Sequence, residues 1–221
     1  MIAWLSKLFG SSLGKKLVMA LSGLLLFGFL CVHLAENLLI YVDGEGKAFD
    51  QYVDFLTAQA WIPLAELALG ALFLVHIVQA FRVSLENKGA RRTPYALTPG
   101  HGGRSLGSTS MLITGCVVLI FLILHLLDFR IGRLSHEEHE GLFALVRAKL
   151  STPLGAGLYL LGMLALGLHL SHGFQSAFQT LGWSHPRYTP LVRKLSIALA
   201  VLLALGFASF PIYFLVSGGS R

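Results

Sequence analysis

Five long apolar stretches alternate with short polar segments along the chain: Leu17 to Tyr41, Ile62 to Phe81, Thr109 to Phe129, Leu154 to Phe178, and Leu195 to Val216. At 1.5 Å per helical residue, each is long enough to cross about 30 Å of hydrocarbon. Backbone in lipid must satisfy its own hydrogen bonds, so the pattern predicts an all-α membrane protein, a five-transmembrane-helix bundle forming a single domain over 1–221. The first stretch does not read as a cleaved signal peptide: it carries His33, Glu36 and Asn37 and ends without a small-x-small site. Ala48 to Trp61 is too polar to span, yet it interleaves Phe49, Tyr52, Val53, Phe55 and Leu56 with acids, which predicts an interfacial helix. Pro63 then opens the second span, where a missing amide is tolerated. The amino-terminal run Ile2 to Phe9 reads as a similar amphipathic segment on the opposite surface. No solenoid-type repeat is visible.

Composition narrows the class. Of 221 residues, 55% are hydrophobic and 13% charged, which leaves no room for a sizeable extramembrane domain, so any water-soluble chemistry must come from partners. Grouping loops alternately, one face receives Lys7, Lys15, Lys16, Arg82, Lys88, Arg91, Arg92, Arg104, Arg187, Arg193 and Lys194 against the single acid Glu86. The other face holds most of the acids. The positive-inside tendency therefore predicts a cytoplasmic amino terminus and an external carboxyl terminus. The basic face would attract anionic lipid headgroups and could guide an acidic protein partner; no nucleic-acid partner is expected. Cys31 and Cys116 lie alone inside apolar runs, which excludes an iron–sulfur or zinc cluster and the attachment motif of a c-type haem.

Four of the nine histidines lie one per span: His33, His76, His125 and His169, with His172 one turn after the last. Ionisable groups in hydrocarbon are costly, which makes each a functional candidate, although a lone one often only bridges helices. Spans one and three run outward, and His33 and His125 come late in them, near the outer surface. Spans two and four run inward, and His76 and His169 come late in those, toward the cytoplasm. Two pairs at two depths, about 15 Å apart, result. Two neutral imidazoles facing one another are what the iron of a b-type haem takes as axial ligands, with no open position left, so the expected chemistry is electron transfer rather than oxygen binding. His169 matches the depth of His76 better than His172 does, and His172 takes a secondary role as hydrogen-bond donor. Gly23, Gly28, Gly70, Gly115, Gly162, Gly167 and Gly173 would give a flat macrocycle room. His101, His136, His139 and His185 fall in polar loops and read as solvated.

With these residues in view the chain resembles the cytochrome b558 subunit of succinate dehydrogenase and fumarate reductase, a single-chain, five-helix, dihaem membrane anchor. Nearly the whole chain takes part in the resemblance. Its most specific parts are Ser11 to Leu21 (SSLGKKLVMAL), Leu30 to Leu38 (LCVHLAENL), Val75 to Ala80 (VHIVQA), Leu122 to Leu126 (LILHL), and Leu168 to Gly182 (LHLSHGFQSAFQTLG) followed by Pro186, Arg187 and Tyr188. The resemblance implies His33 with His125 as ligands of a distal haem b and His76 with His169 as ligands of a proximal one. It also implies a flavoprotein subunit and an iron–sulfur subunit on the cytoplasmic face, and a place in the bacterial cytoplasmic (inner) membrane. Electrons would pass between the iron–sulfur subunit and a quinone, usually menaquinone, with no succinate site on this chain.

A quinone near the distal haem needs a proton donor and hydrogen bonds, for which Glu36, Asn37, Asp50, Asp54 and Glu66 lie at the right level. Gly167 stands where some fumarate reductase members carry an acid, so a proton path through span four is not expected. Haem propionates call for cations: Arg82, with Arg91 or Arg92, at the proximal level, and Arg130 or Arg133 at the distal one. Two other classes stay open on the residues alone. One is the cytochrome b anchor of a hydrogenase or formate dehydrogenase; the other is a transporter with a histidine relay, which would call for broken helices.

Overall fold

The computed structural model describes residues 10–89, 106–135 and 141–217, and within them the chain is helical with no strand. Ile2 to Phe9, Arg91, Arg92, His101, His136 and His139 lie outside the described residues. The elements are α1 (Ser12–Asn37), α2 (Ile40–Asp43), α3 (Lys47–Thr57), α4 (Ile62–Gly89), α5 (Leu106–His125), a π-helical segment (Leu126–Ile131), α6 (Gly132–Ser135), α7 (Leu142–Leu150), α8 (Pro153–Thr180) and α9 (Thr189–Ser217). Five of these, α1, α4, α5 with its π-helical extension, α8 and α9, are long and apolar enough to cross a membrane. Each span falls on one of the five predicted stretches.

Local chemistry explains where the helices begin. The Ser11 hydroxyl accepts the amide of Gly14 and starts α1, ahead of the apolar run. Thr152 does the same for Gly155 at the start of α8, with Pro153 in the first turn. Most of the long helices run past their apolar stretches, because backbone hydrogen bonding continues into polar residues that reach water. The exception is α1, which ends at Asn37, four residues before the apolar stretch does; Leu38 and Leu39 then lead into the single turn of α2. Gly44 and Gly46 follow with φ of 69° and 79°. The Asp43 carboxylate accepts the amides of Glu45, Gly46 and Ala48, which closes this turn and launches α3, the expected interfacial helix.

Helix α7 has no counterpart in the hydropathy pattern. Phe143, Val146 and Leu150, spaced three and four residues apart, are buried and face one way. They pack with Leu34, Ile40, Phe49, Tyr159, Leu203, Phe210 and Phe214 into one apolar cluster, so α3 and α7 together close the end of the bundle at which α1 finishes.

Among the long helices, α8 is central. It packs against α5, α9 and α1, and α1 in turn packs against α4. The sequence of neighbours is therefore α4, α1, α8, α5, with α9 against α8. The diagonals α1 to α5 and α4 to α8 are not among the principal packings. They are the diagonals that carry the histidines.

Candidate functional site

His33 on α1 and His125 on α5 meet across one diagonal, with ring centroids 5.9 Å apart and planes at 86°. Rings held by a shared first-row metal at the roughly 2 Å usual for an imidazole nitrogen would have centroids roughly 6 Å apart, so this spacing fits a two-imidazole metal site. Phe29 stacks on His33 at 5.3 Å, and Phe207 lies 5.8 Å from it. Phe121, Phe129 and Tyr159 surround His125. Nδ1 of His125 is buried with no hydrogen-bond partner among the described residues, a cost of about 1–3 kcal/mol for an ordinary polar atom. Nδ1 of His33 lies 3.4 Å from the side-chain nitrogen of Asn37, which donates to the His33 carbonyl at 2.7 Å.

His76 on α4 and His169 on α8 belong to the other diagonal, within range of each other's charge. Each is seated on the helix beside it. Ser22 Oγ lies 3.2 Å from His76 Nδ1, and Thr114 Oγ lies 3.4 Å from His169 Nδ1. The neighbouring glycines receive the ring edges. A Cβ on Gly23 would stand 3.2 Å from His76 Cε1, and one on Gly115 would stand 3.4 Å from His169 Cε1. His172 adds its field to His169 and interacts with Arg193, while the contact with Thr114 belongs to His169.

The glycines also measure depth. Gly23 precedes His33 by ten residues on α1, and Gly115 precedes His125 by ten on α5, so the two pairs stand about 15 Å apart along the helices. The acid-flanked pair, His33 and His125, is followed three residues later by Glu36 and Asp128. Tyr52 donates to Glu36 at 2.8 Å, which raises the tyrosine pKa. Tyr159 donates to Asp128 at 3.1 Å, and Lys149 reaches the same carboxylate at 2.6 Å.

Other residues singled out in the sequence have definite partners. Asp50 accepts the amide of Phe143 at 2.9 Å and so ties α3 to α7; burial raises its pKa, with that amide pulling the other way. Asp54 pairs with Arg133 at 3.1 Å. Arg130 grips Glu66 with two bonds of 2.9 and 3.1 Å. Arg82 is exposed near the far end of α4, where Lys15 and Glu86 form an ion pair between α1 and α4.

Ser22 and Thr114 were not among the sequence candidates, because a hydroxyl inside an apolar helix is an ordinary helix-packing residue. A signal for them does exist. Met19, Ser22, Gly23, His33 and Glu36 recur 92 positions later as Met111, Thr114, Gly115, His125 and Asp128, and His76 recurs 93 positions later as His169. The two helix pairs α1–α4 and α5–α8 thus repeat one arrangement in parallel, a kind of symmetry found in other membrane bundles. Comparison with family models, curated proteins and solved structures found no match for this chain.

Proposed function

We propose that this chain is the membrane-anchor cytochrome b of a succinate:quinone oxidoreductase, carrying electrons through two bis-histidine haems b between an iron–sulfur subunit and a quinone. The observation that carries the reading is the meeting of His33 and His125 at 5.9 Å across one diagonal of the bundle, with His76 and His169 on the other diagonal at a level about 15 Å away. In this reading His33 and His125 would hold one iron and His76 and His169 the other. Each haem, when bound, would supply a one-electron couple.

The protein's own residues set the conditions. Phe29, Phe121, Phe129 and Phe207 around the acid-flanked imidazoles exclude water from that level. Glu36 with Tyr52 is the proton-bearing pair one turn beyond His33, and Asn37 beside it offers an amide for a quinone carbonyl. Asp50 and Asp54 serve the closure of this end through Phe143 and Arg133. Arg82 is the cation offered to a propionate at the other level, while Arg130 is held by Glu66. The positive-inside tendency places the His76 and His169 level toward the cytoplasm of a bacterial inner membrane, where the flavoprotein and iron–sulfur subunits dock. Menaquinone is then the substrate at the opposite surface.

A reduced-minus-oxidised spectrum of the purified chain tests this, with two b-type components expected. Absence of b-type absorption overturns the cytochrome reading. Co-purification with a covalent-flavin protein and an iron–sulfur protein supports the succinate assignment, whereas a molybdenum or nickel–iron partner refutes it.

A further inference from the structure

We propose that Ser22 and Thr114 are positioning residues which fix the tautomer and orientation of His76 and His169, leaving Nε2 of each imidazole as the metal-binding nitrogen. The inference rests on the dihaem reading above and adds to it the protein groups that set the electronic character of one haem. Ser22 and Thr114 are 3% and 5% exposed, two of the three buried polar residues among those described.

A hydroxyl has one proton and two lone pairs. Ser22 gives its proton to the Val18 carbonyl at 2.7 Å, with Met19 O at 3.1 Å. Thr114 gives its proton to the Ser110 carbonyl at 2.9 Å, with Met111 O at 3.2 Å. With that proton committed, each oxygen faces the imidazole as an acceptor. The hydroxyl oxygen is the acceptor that meets each Nδ1, so Nδ1 carries the proton and Nε2 keeps its lone pair.

Hydroxyl groups in membrane helices commonly bond back to a carbonyl one turn earlier, and that habit alone explains the first contact. It does not explain why both hydroxyls sit under an imidazole nitrogen. Nor does it explain why each is followed by a glycine that lets the ring edge lie on the backbone, or why the same seat recurs 92 residues later. Among the described residues the acid-flanked pair lacks such seats: His125 Nδ1 has no hydrogen-bond partner, and His33 Nδ1 meets Asn37 of its own helix.

Partners of this kind raise the basicity of a ligating imidazole and so favour the ferric state; losing one acts on haem retention or potential by roughly tenfold. For a one-electron couple tenfold is about 59 mV. The test uses the full chain with its haems, in Ser22→Ala, Thr114→Ala, the double variant, and the conservative Ser22→Thr and Thr114→Ser. Redox titration and the low-spin ferric electron paramagnetic resonance signals are read for both haems. Each alanine variant is expected to raise the potential and shift the signal of the haem that His169→Ala removes. The double variant should show roughly the sum, the other haem should not move, and the conservative variants should restore wild-type values.

Unchanged potential and signal in both alanine variants overturn the proposal, as do equal shifts in both haems, which would mean a general loosening of the bundle. Should the double variant fail to accumulate, the single variants decide. A wild-type chain without haem takes both this proposal and the proposed function with it. A two-haem wild type with unresponsive variants takes only this one.

Discussion

The two histidine levels solve the same problem by different means. At the hydroxyl-flanked level, each imidazole is held by the helix beside it, through a hydroxyl and a bare glycine backbone. At the acid-flanked level, aromatic rings do the holding, and α3 and α7 close the end over an apolar cluster. Hydrogen bonds fix the direction of a ring and its tautomer, whereas packing fixes its position and keeps water out. One level therefore fixes the direction of its imidazoles through hydrogen bonds, and the other isolates its imidazoles beside a surface where acids and tyrosines gather.

The sharpest way to break this comparison is to delete one ring from each level. His169→Ala should abolish one b-type component and leave the other, His125→Ala should do the reverse, and His172→Ala should keep both. Absorption difference spectra of the purified variants check this, and a normal two-haem spectrum in His169→Ala would transfer the ligand role to His172.

A smaller effect separates closure from ligation. Gly46 has φ of 79°, and a Cβ there would lie 2.0 Å from the Phe143 ring. Gly46→Ala should cost roughly 2–4 kcal/mol by combining backbone strain with overpacking. Thermal denaturation followed at each haem should show the His33 and His125 component lost at lower temperature than in wild type, with the His76 and His169 component shifting less. Equal shifts would mean that the two ends unfold as one.

Smaller again is the contrast between the two acids. Tyr159 is buried and Tyr52 is not. Removing the Asp128 contact by Tyr159→Phe should destabilise by about 1–3 kcal/mol, since it takes one partner from a half-buried carboxylate, while Tyr52→Phe should cost less than about 1 kcal/mol. Denaturation midpoints of the two variants in detergent give the order directly.

The smallest effect is a pH dependence. Asp50 has a carboxyl whose pKa is raised, chiefly by burial, above its ordinary value near 3.8. The folded state thus holds this proton more tightly than the unfolded chain does. The contact of α3 with α7 should therefore be strongest below the ordinary carboxylate pKa and weaken as pH rises through the raised one. Midpoints measured across mildly acid pH should fall with rising pH in wild type and lose that slope in Asp50→Asn. An unchanged slope would assign the effect to another group.

Hydropathy made the spans legible because a lipid solvent selects apolar side chains over a fixed length, and the histidines stand out against that background for the same reason. The alternation of passes then places His33 level with His125, and His76 with His169, without coordinates. The ends of the helices were less legible: Ser11 and Thr152 cap two of them ahead of their apolar runs, and α1 gives way at Asn37 to a separate turn over Ile40–Asp43. Helix α7 was missed because nine residues with a modest apolar face resemble any amphipathic loop until Phe143 finds Phe49 and Phe214. Asp50 and Arg130 read as possible contacts for quinone and propionate; their partners, the Phe143 amide and Glu66, lie 93 and 64 residues away, beyond the reach of local pattern.

The sequence by itself determined the five apolar spans, the surplus of charge on one set of loops, and which passes carry an imidazole, since each follows from the solvent every segment must meet. The tertiary structure alone decided that the histidine-bearing helices stand on diagonals, that Ser22 and Thr114 sit under imidazole nitrogens, and that α3 and α7 shut one end. Those facts depend on which faces of separate helices turn toward one another, and that is settled by packing among segments far apart in the chain.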